Sequence, residues 1–396
     1  SVEAVPKVDE NGQPISEAET KALHTTMQTL GRFALISGLV VVAAMNIFLF
    51  EGVEQLDIAG KSAIYGQVYL LAFIIPVVSI SGAVLGEIFK WRKQRALKAL
   101  GMSAEEIEAV TGREGEPPEP NYWYFGGGAL FVLLTLTVGL GNVPFSQEIV
   151  FAGSMGIVLV LMSRLIRELD PAHARALVGT AIIIFVFRAM PSPGPGATWF
   201  QIDVLGFDQQ FLAILSLIGS LLTLAGMIVL RPLMAQKKIV FIVILLTFAA
   251  AILSLPNLGL YYGVHEWTAP RTGGIVDARF IAIIDTAVES PLGQIAMIPM
   301  LAWIAKNAPS NLKATFFAVM ASFTNLALSA NSLMTKYLNE IFVVTREVKD
   351  QTSGAIVTAA DYSELGMLLI TVVLAALIVP LVTIFIVQRT ALHTED

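Results

Sequence analysis

Long apolar stretches recur along this chain, each about as long as a bilayer is thick and separated from the next by polar connectors. A hydrocarbon core about 30 Å thick needs roughly 20 apolar helical residues. The stretches are 33–50, 62–89, 122–141, 146–166, 174–190, 209–230, 238–256, 278–305, 313–335 and 364–388. Charges, prolines or glycines bound each of them. In hydrocarbon every backbone N–H and C=O must be satisfied within its own segment, so the stretches read as helices. The expectation is an all-α polytopic membrane protein with about ten transmembrane helices.

The connectors alternate in charge. Lys90, Arg92, Lys93, Arg95 and Lys98 follow the second stretch, and Arg164, Arg167 and Arg175 flank the fourth connector. Arg231, Lys237 and Lys238 lie in the sixth, Lys306 and Lys313 bracket the eighth, and Arg389 follows the last helix. The intervening connectors are poor in Lys and Arg, and 192–208 has none. Positive charge favours the cytoplasmic side, so the basic set and both termini are expected there. A bacterial inner membrane is the expected location. The weak point is 338–362, which the alternation places outside although it carries Arg346 and Lys349. Aromatic residues at Tyr122, Trp123, Tyr124, Trp199, Tyr261, Tyr262 and Trp267 suit headgroup-level boundaries.

The expected organisation follows the connectors. Residues 1–32 form a polar cytoplasmic segment, and 33–166 form a four-helix bundle that includes the cytoplasmic loop 90–121. Residues 167–390 form a six-helix bundle, with 391–396 as a tail. Within the loop, Ser103 and Glu106 make a capping-box pattern. A short helix there fits a gate or docking element, and fits better a solvated surface helix.

Composition narrows the function. The chain is 55% hydrophobic and 14% charged, against about 25% charged in soluble domains. The net charge of −6 does not suggest a nucleic-acid partner, and there is no cysteine for disulfides or thiol chemistry. The four histidines are scattered without metal-ligand spacing, and no phosphate-cradling GxxxxGK[ST] loop occurs. Neither catalytic residues, a metal site nor a cofactor is expected, and the chain does not read as an enzyme. Its first partner is the lipid bilayer.

Polar groups at membrane depth carry the remaining signal, because charges there are expensive and face a cavity or a partner. Asp285 and Glu289 stand at i, i+4 on one helix face, with Gln294 near that face. Pro291 and Pro299 interrupt the same stretch and are the expected helix breaks, of the kind that builds transporter sites near the midplane. Arg188 lies roughly 21 Å into its helix from the basic end, and Asp285 roughly 10 Å into its own from the other. These depths allow Arg188 to face Asp285 or Glu289, either as a substrate or proton-coupling site or as a structural ion pair. Asn325 and Asn331 fit substrate binding and interhelical hydrogen bonding equally. Gln201, Asp203 and Asp208 read as part of an exposed turn.

Several motifs from about residue 170 onward resemble those of the folate–biopterin transporter family of the major facilitator superfamily. They are Phe187-Arg188-Ala189-Met190-Pro191-Ser192-Pro193, Leu205-Gly206-Phe207-Asp208 with Phe211-Leu212, and Ile284-Asp285-Thr286-Ala287-Val288 with Ile298-Pro299-Met300-Leu301. Lys313-Ala314-Thr315-Phe316-Phe317-Ala318 follows, with Met320 and Asn325-Leu326. The family has Glu where Lys313 stands. By this resemblance the last six helices correspond to helices seven to twelve of the superfamily, and the ten-helix chain lacks the first two. The resemblance implies a secondary transporter that carries a folate- or pterin-type organic anion by alternating access. Arg188 would attract the anion, and Asp285 and Glu289 would tune or couple protons. The shortened first bundle also fits another reading, a transporter-derived structural or assembly subunit of a larger membrane complex, in one version a photosynthetic one. Other subunits could then supply the missing helices.

Overall fold

The computed structural model describes residues 16–49, 58–99, 101, 103, 122–141, 143–167, 169–292, 295, 297–306, 313–350 and 355–393. The short helix expected near Ser103–Glu106, the polar residues 1–15 and the candidate Gln294 lie outside the described residues, apart from Ser103 itself.

Ten helical stretches among the described residues are long and apolar enough to cross a membrane. In chain order the helices are α1 (Glu17–Leu49), α2 (Ile58–Ala72), α3 (Ile74–Ala99), α4 (Tyr122–Leu140), α5 (Ser146–Ile166), α6 (Pro171–Ala189) and α7 (Pro195–Asp203). They continue as α8 (Gln209–Val229), α9 (Arg231–Gln236), α10 (Ile239–Leu253), α11 (Leu255–Tyr261), α12 (Val264–Arg271), α13 (Ala278–Glu289), α14 (Met297–Lys306), α15 (Lys313–Ile341) and α16 (Leu365–Gln388). A small antiparallel ribbon, β1 (Val348–Lys349) and β2 (Ile356–Thr358), sits between α15 and α16.

Local chemistry sets the helix starts. Asp170 caps α6 by accepting from the Ala172 N–H at 2.9 Å, and Pro171 takes the first helical position, where its missing N–H is not needed. Asp208 caps α8 through the Phe211 N–H (2.7 Å), and Asp277 caps α13 through the Phe280 N–H (2.8 Å). The apolar pattern placed the start of the first helix at residue 33, whereas α1 begins at Glu17. Its first turns are rich in good helix formers, and helix formation does not require that they be apolar.

Two units make up the chain, Ser1–Val40 with Pro120–Asp396, and Val41–Glu119. In the second, α2 and α3 form one long apolar run interrupted at Phe73, whose N–H bonds the Leu70 carbonyl at 3.2 Å. Its large apolar side chains, among them Tyr69, Phe73, Ile80 and Phe89, are exposed, as suits a surface solvated by lipid.

In the first unit α15 packs on α5 and α6, and α16 packs on α6 and α10. The main core gathers Leu165, Leu177, Ile183, Ile304, Phe316 and Met320, all nearly inaccessible. Asn331 of α15 donates to the Met190 carbonyl at the end of α6, which favours the interhelical reading of that side chain. The stretch 278–305 is broken, as its prolines predicted. Helix α13 stops at Glu289, and Ser290–Leu292 forms a 3-10 turn holding Pro291. Pro299 falls in the first turn of α14, where a missing N–H is tolerated.

The cations that weakened the charge alternation are both paired. Arg346 forks onto Asp203, with Nε to Oδ2 at 2.9 Å and Nη2 to Oδ1 at 2.8 Å, and Lys349 meets Glu347 at 2.8 Å.

Candidate functional site

Two polar clusters sit inside the first unit. The first centres on Asp285. Ala278, Ala282 and Asp285 form the buried stripe of α13, which brings a carboxyl group into the interior at 7% exposure. Asn257, on the short helix α11, donates through Nδ2 to Asp285 Oδ2 at 2.7 Å. Gln201 of α7 in turn donates through Nε2 to Asn257 Oδ1 at 3.5 Å. The other carboxyl oxygen, Asp285 Oδ1, is buried without a partner among the described residues. One turn on, Glu289 opens into a cavity of about 270 Å³ whose walls include Pro193, Gln201, Asn257, Leu365 and Val372. A buried polar atom without a hydrogen bond is rare and points to a missing partner or a functional role.

The walls of this cavity depend on local backbone devices. Gly194 adopts φ +73°, a region that glycine enters freely, and turns the chain from α6 into α7. Just beyond Glu289, α8 runs close against the Ser290–Leu292 turn. Thr223 shares its hydroxyl hydrogen between the Gly219 carbonyl (2.8 Å) and the Ser290 carbonyl (2.9 Å), giving a carbonyl at the helix break a donor.

The second cluster is cationic. Arg188, next to the last residue of α6, is half-buried, and its Nη1 is buried without an acceptor among the described residues. No ion pair within 4 Å joins it to Asp285 or Glu289 among the described residues, so the expected pairing is corrected. Asp285 instead takes the uncharged Asn257, and the charge that acts on Arg188 is that of Arg32 on α1. Asn325 is exposed on α15 and makes no hydrogen bond among the described residues. The structure therefore brings Asp285 and Glu289 together, sets Arg188 apart from them, and leaves Asn325 outside both clusters.

Residues 195–203 of the 192–208 connector build α7 and not a turn, and Gln201 faces the cavity, while Asp208 stays exposed in the turn that follows. Asp203 holds both Arg346 and the Tyr362 hydroxyl, which donates to Oδ2 at 2.6 Å. The Arg346 guanidinium holds the Asp203 carboxyl below its ordinary range, while burial and the carboxylate push the Tyr362 phenol up to about 12. Asn257 and Arg32 were not singled out by the sequence, and Gln201 was read only as part of an exposed turn. Asn257 and Arg32 each lie just beyond the edge of an apolar stretch, where they read as connector residues. Their signal was a polar group within one turn of a proline-bounded or charge-bounded edge.

A second, wider cavity of about 630 Å³ lies between the N-terminal end of α5 and the C-terminal end of α15, walled by Phe145, Glu148, Trp199, Thr335 and Lys336. Glu148 Oε1 accepts from Lys336 Nζ and from the Tyr337 hydroxyl, each at 2.7 Å.

The sequence profile of the BT1 family matches residues 18–396, nearly the whole chain. The chain belongs to the BT1 family. This is the folate–biopterin transporter family that the motifs around Arg188, Asp285 and Pro299 resemble. Membership agrees with the observed fold, an all-α polytopic membrane protein of major-facilitator type. A folate-biopterin transporter from Synechocystis sp. (strain ATCC 27184 / PCC 6803 / Kazusa) is 32% identical over 161 residues. That match covers 40% of this BT1 chain and 31% of the relative, so the chain matches about a third of the relative's length. No solved structure matches the chain.

Proposed function

We propose that this BT1 protein is a secondary transporter of a folate- or pterin-type organic anion, working by alternating access around the cavity at Asp285 and Glu289. One observation carries the reading most. A spanning helix breaks one turn after a buried carboxyl group, Asp285, that keeps one oxygen unpaired among the described residues and ends a polar chain from Gln201 through Asn257. Interrupted helices near the midplane are where transporters place substrate and coupling-ion sites. Family membership and the name of the Synechocystis relative supply the substrate class.

In this reading Asp285 and Glu289 exchange protons in step with the cargo. Asn257 orients Asp285, and Arg188 attracts the anion. Both termini face the cytoplasm of a bacterial inner membrane, and the bundles 33–166 and 167–390 move against each other. No catalytic residue takes part. Uptake of labelled folate into vesicles containing the purified protein tests the proposal, with Asp285→Asn as the coupling variant and Arg188→Ala as the anion variant. Uptake through both variants at the unsubstituted rate would remove the proposed site. No uptake by the unsubstituted protein across a range of proton gradients would remove transport of this cargo.

A further inference from the structure

We infer that Arg32 of α1 and Arg188 of α6 together hold one carboxylate of an organic anion, so that α1 is part of the binding site. This rests on the transporter reading and deepens it, since it assigns the anion's charged group to a specific pair.

Both side chains are half-buried within stretches long and apolar enough to span a membrane. A guanidinium stays protonated there and offers five N–H donors that want acceptors. Neither arginine has an acidic partner within 4 Å among the described residues, and Arg188 Nη1 is buried with no acceptor among them. Intramembrane cations ordinarily pair with an acid or with backbone carbonyls.

The packing brings their two helices onto one apolar cluster. Ile36 lies one turn beyond Arg32 on the same face of α1 and is buried in a cluster with Met227, Met234, Ile242 and Ile298. Phe187, the immediate neighbour of Arg188, packs against that same cluster. Nearly three turns before Ile36, the Thr26 hydroxyl accepts from Arg231 Nη2 at 2.6 Å, which holds α1 in register with the start of α9. The charge of Arg32 accordingly acts on Arg188. Two like charges placed together at low dielectric repel, and an anion between them turns that repulsion into two charge-assisted interactions. The planar fork of arginine matches a carboxylate with two parallel hydrogen bonds. A phosphate headgroup of an anionic lipid shares this oxyanion chemistry. The burial of Arg188 Nη1 favours a soluble carboxylate, because lipid reaches exposed faces first.

The test uses the full chain in phosphatidylcholine nanodiscs, with glutarate and its uncharged diamide as probes and thermal unfolding and direct binding as readouts. Glutarate is expected to raise the melting temperature and the diamide to leave it unchanged. Arg32→Ala and Arg188→Ala should each weaken glutarate binding by about ten- to a hundredfold, since each removes hydrogen bonds to a charged group. The double variant should lose little more than either single one, because the pair holds one group. Arg32→Lys keeps the charge but not the fork and should bind between Arg32→Ala and the unsubstituted protein. Unchanged glutarate binding in Arg32→Ala overturns the inference, while folate uptake in that same variant would leave the transporter reading standing. Arginine-dependent glutarate binding without folate uptake keeps the pair and removes the folate cargo. If replacing phosphatidylcholine by phosphatidylglycerol gives the same arginine-dependent stabilisation without glutarate, the pair binds a headgroup and the inference falls.

Discussion

Gly226→Ala is the substitution whose effect the structure constrains most tightly. A methyl group at this position of α8 would lie 2.6 Å from the Cα and 2.8 Å from the carbonyl carbon of Pro291, and closer still to its carbonyl oxygen. Ordinary contacts between carbon atoms sit at about 3.5–4.0 Å, so one element must move by roughly 1 Å. The obstructing atoms are backbone in a 3-10 turn, and no side-chain rotation relieves them. Overpacking of this kind costs about 1–3 kcal/mol. Alanine returns about 1 kcal/mol through its better helix propensity, leaving a net loss of up to about 2 kcal/mol. For a unit of this size each kcal/mol corresponds to a fall of about 2–4 °C in melting temperature. Gly156→Ala in α5 is the matched control, because a methyl group there meets nothing within 4 Å. Thermal unfolding of the detergent-solubilised protein should show Gly226→Ala below the unsubstituted chain and Gly156→Ala level with it or above. Folate uptake should fall in Gly226→Ala as well, since the displaced turn carries Glu289 and Asp285 with it. If both variants melt at the same temperature, the close approach of α8 to the helix break is not what holds the site.

Three further outcomes follow from the same geometry. Asn257→Leu leaves both oxygens of buried Asp285 without a partner and should destabilise the protein by about 1–3 kcal/mol while lowering uptake, as read from melting curves and vesicle assays. Glu148→Gln weakens the bridge from α5 to Lys336 and Tyr337 on α15. Maleimide should then label a cysteine placed at Ser332, in the wall of the wider cavity, faster than without Glu148→Gln, with no background because the chain has no cysteine of its own. At the ribbon, the lowered Asp203 carboxyl contributes stability that is present above ~pH 4 and lost as pH falls through its folded value. The raised Tyr362 phenol contributes stability that is present below pH 10 and lost as pH rises to about 12. Asp203→Asn should flatten the acid limb of the melting-temperature profile, and Tyr362→Phe should remove the latest-titrating tyrosinate absorbance.

The helical membrane architecture could be read from residue order alone, because hydropathy over a window of about 20 residues is a local property. The 146–166 stretch coincides with α5, and the break near Pro291 follows from an imino acid that cannot donate its hydrogen bond. The i, i+4 spacing of Asp285 and Glu289 likewise needed nothing beyond helical periodicity. Partners were another matter. Asp285 meets Asn257, 28 residues away, and not Arg188, while Ile36 and Phe187, beside Arg32 and Arg188, meet in one apolar cluster across about 150 positions. Asp203 finds Arg346 and Tyr362 in a connector far along the chain. Which buried charges meet depends on how helices pack and turn about their axes. Many residues set that packing jointly, through contacts that no local window contains.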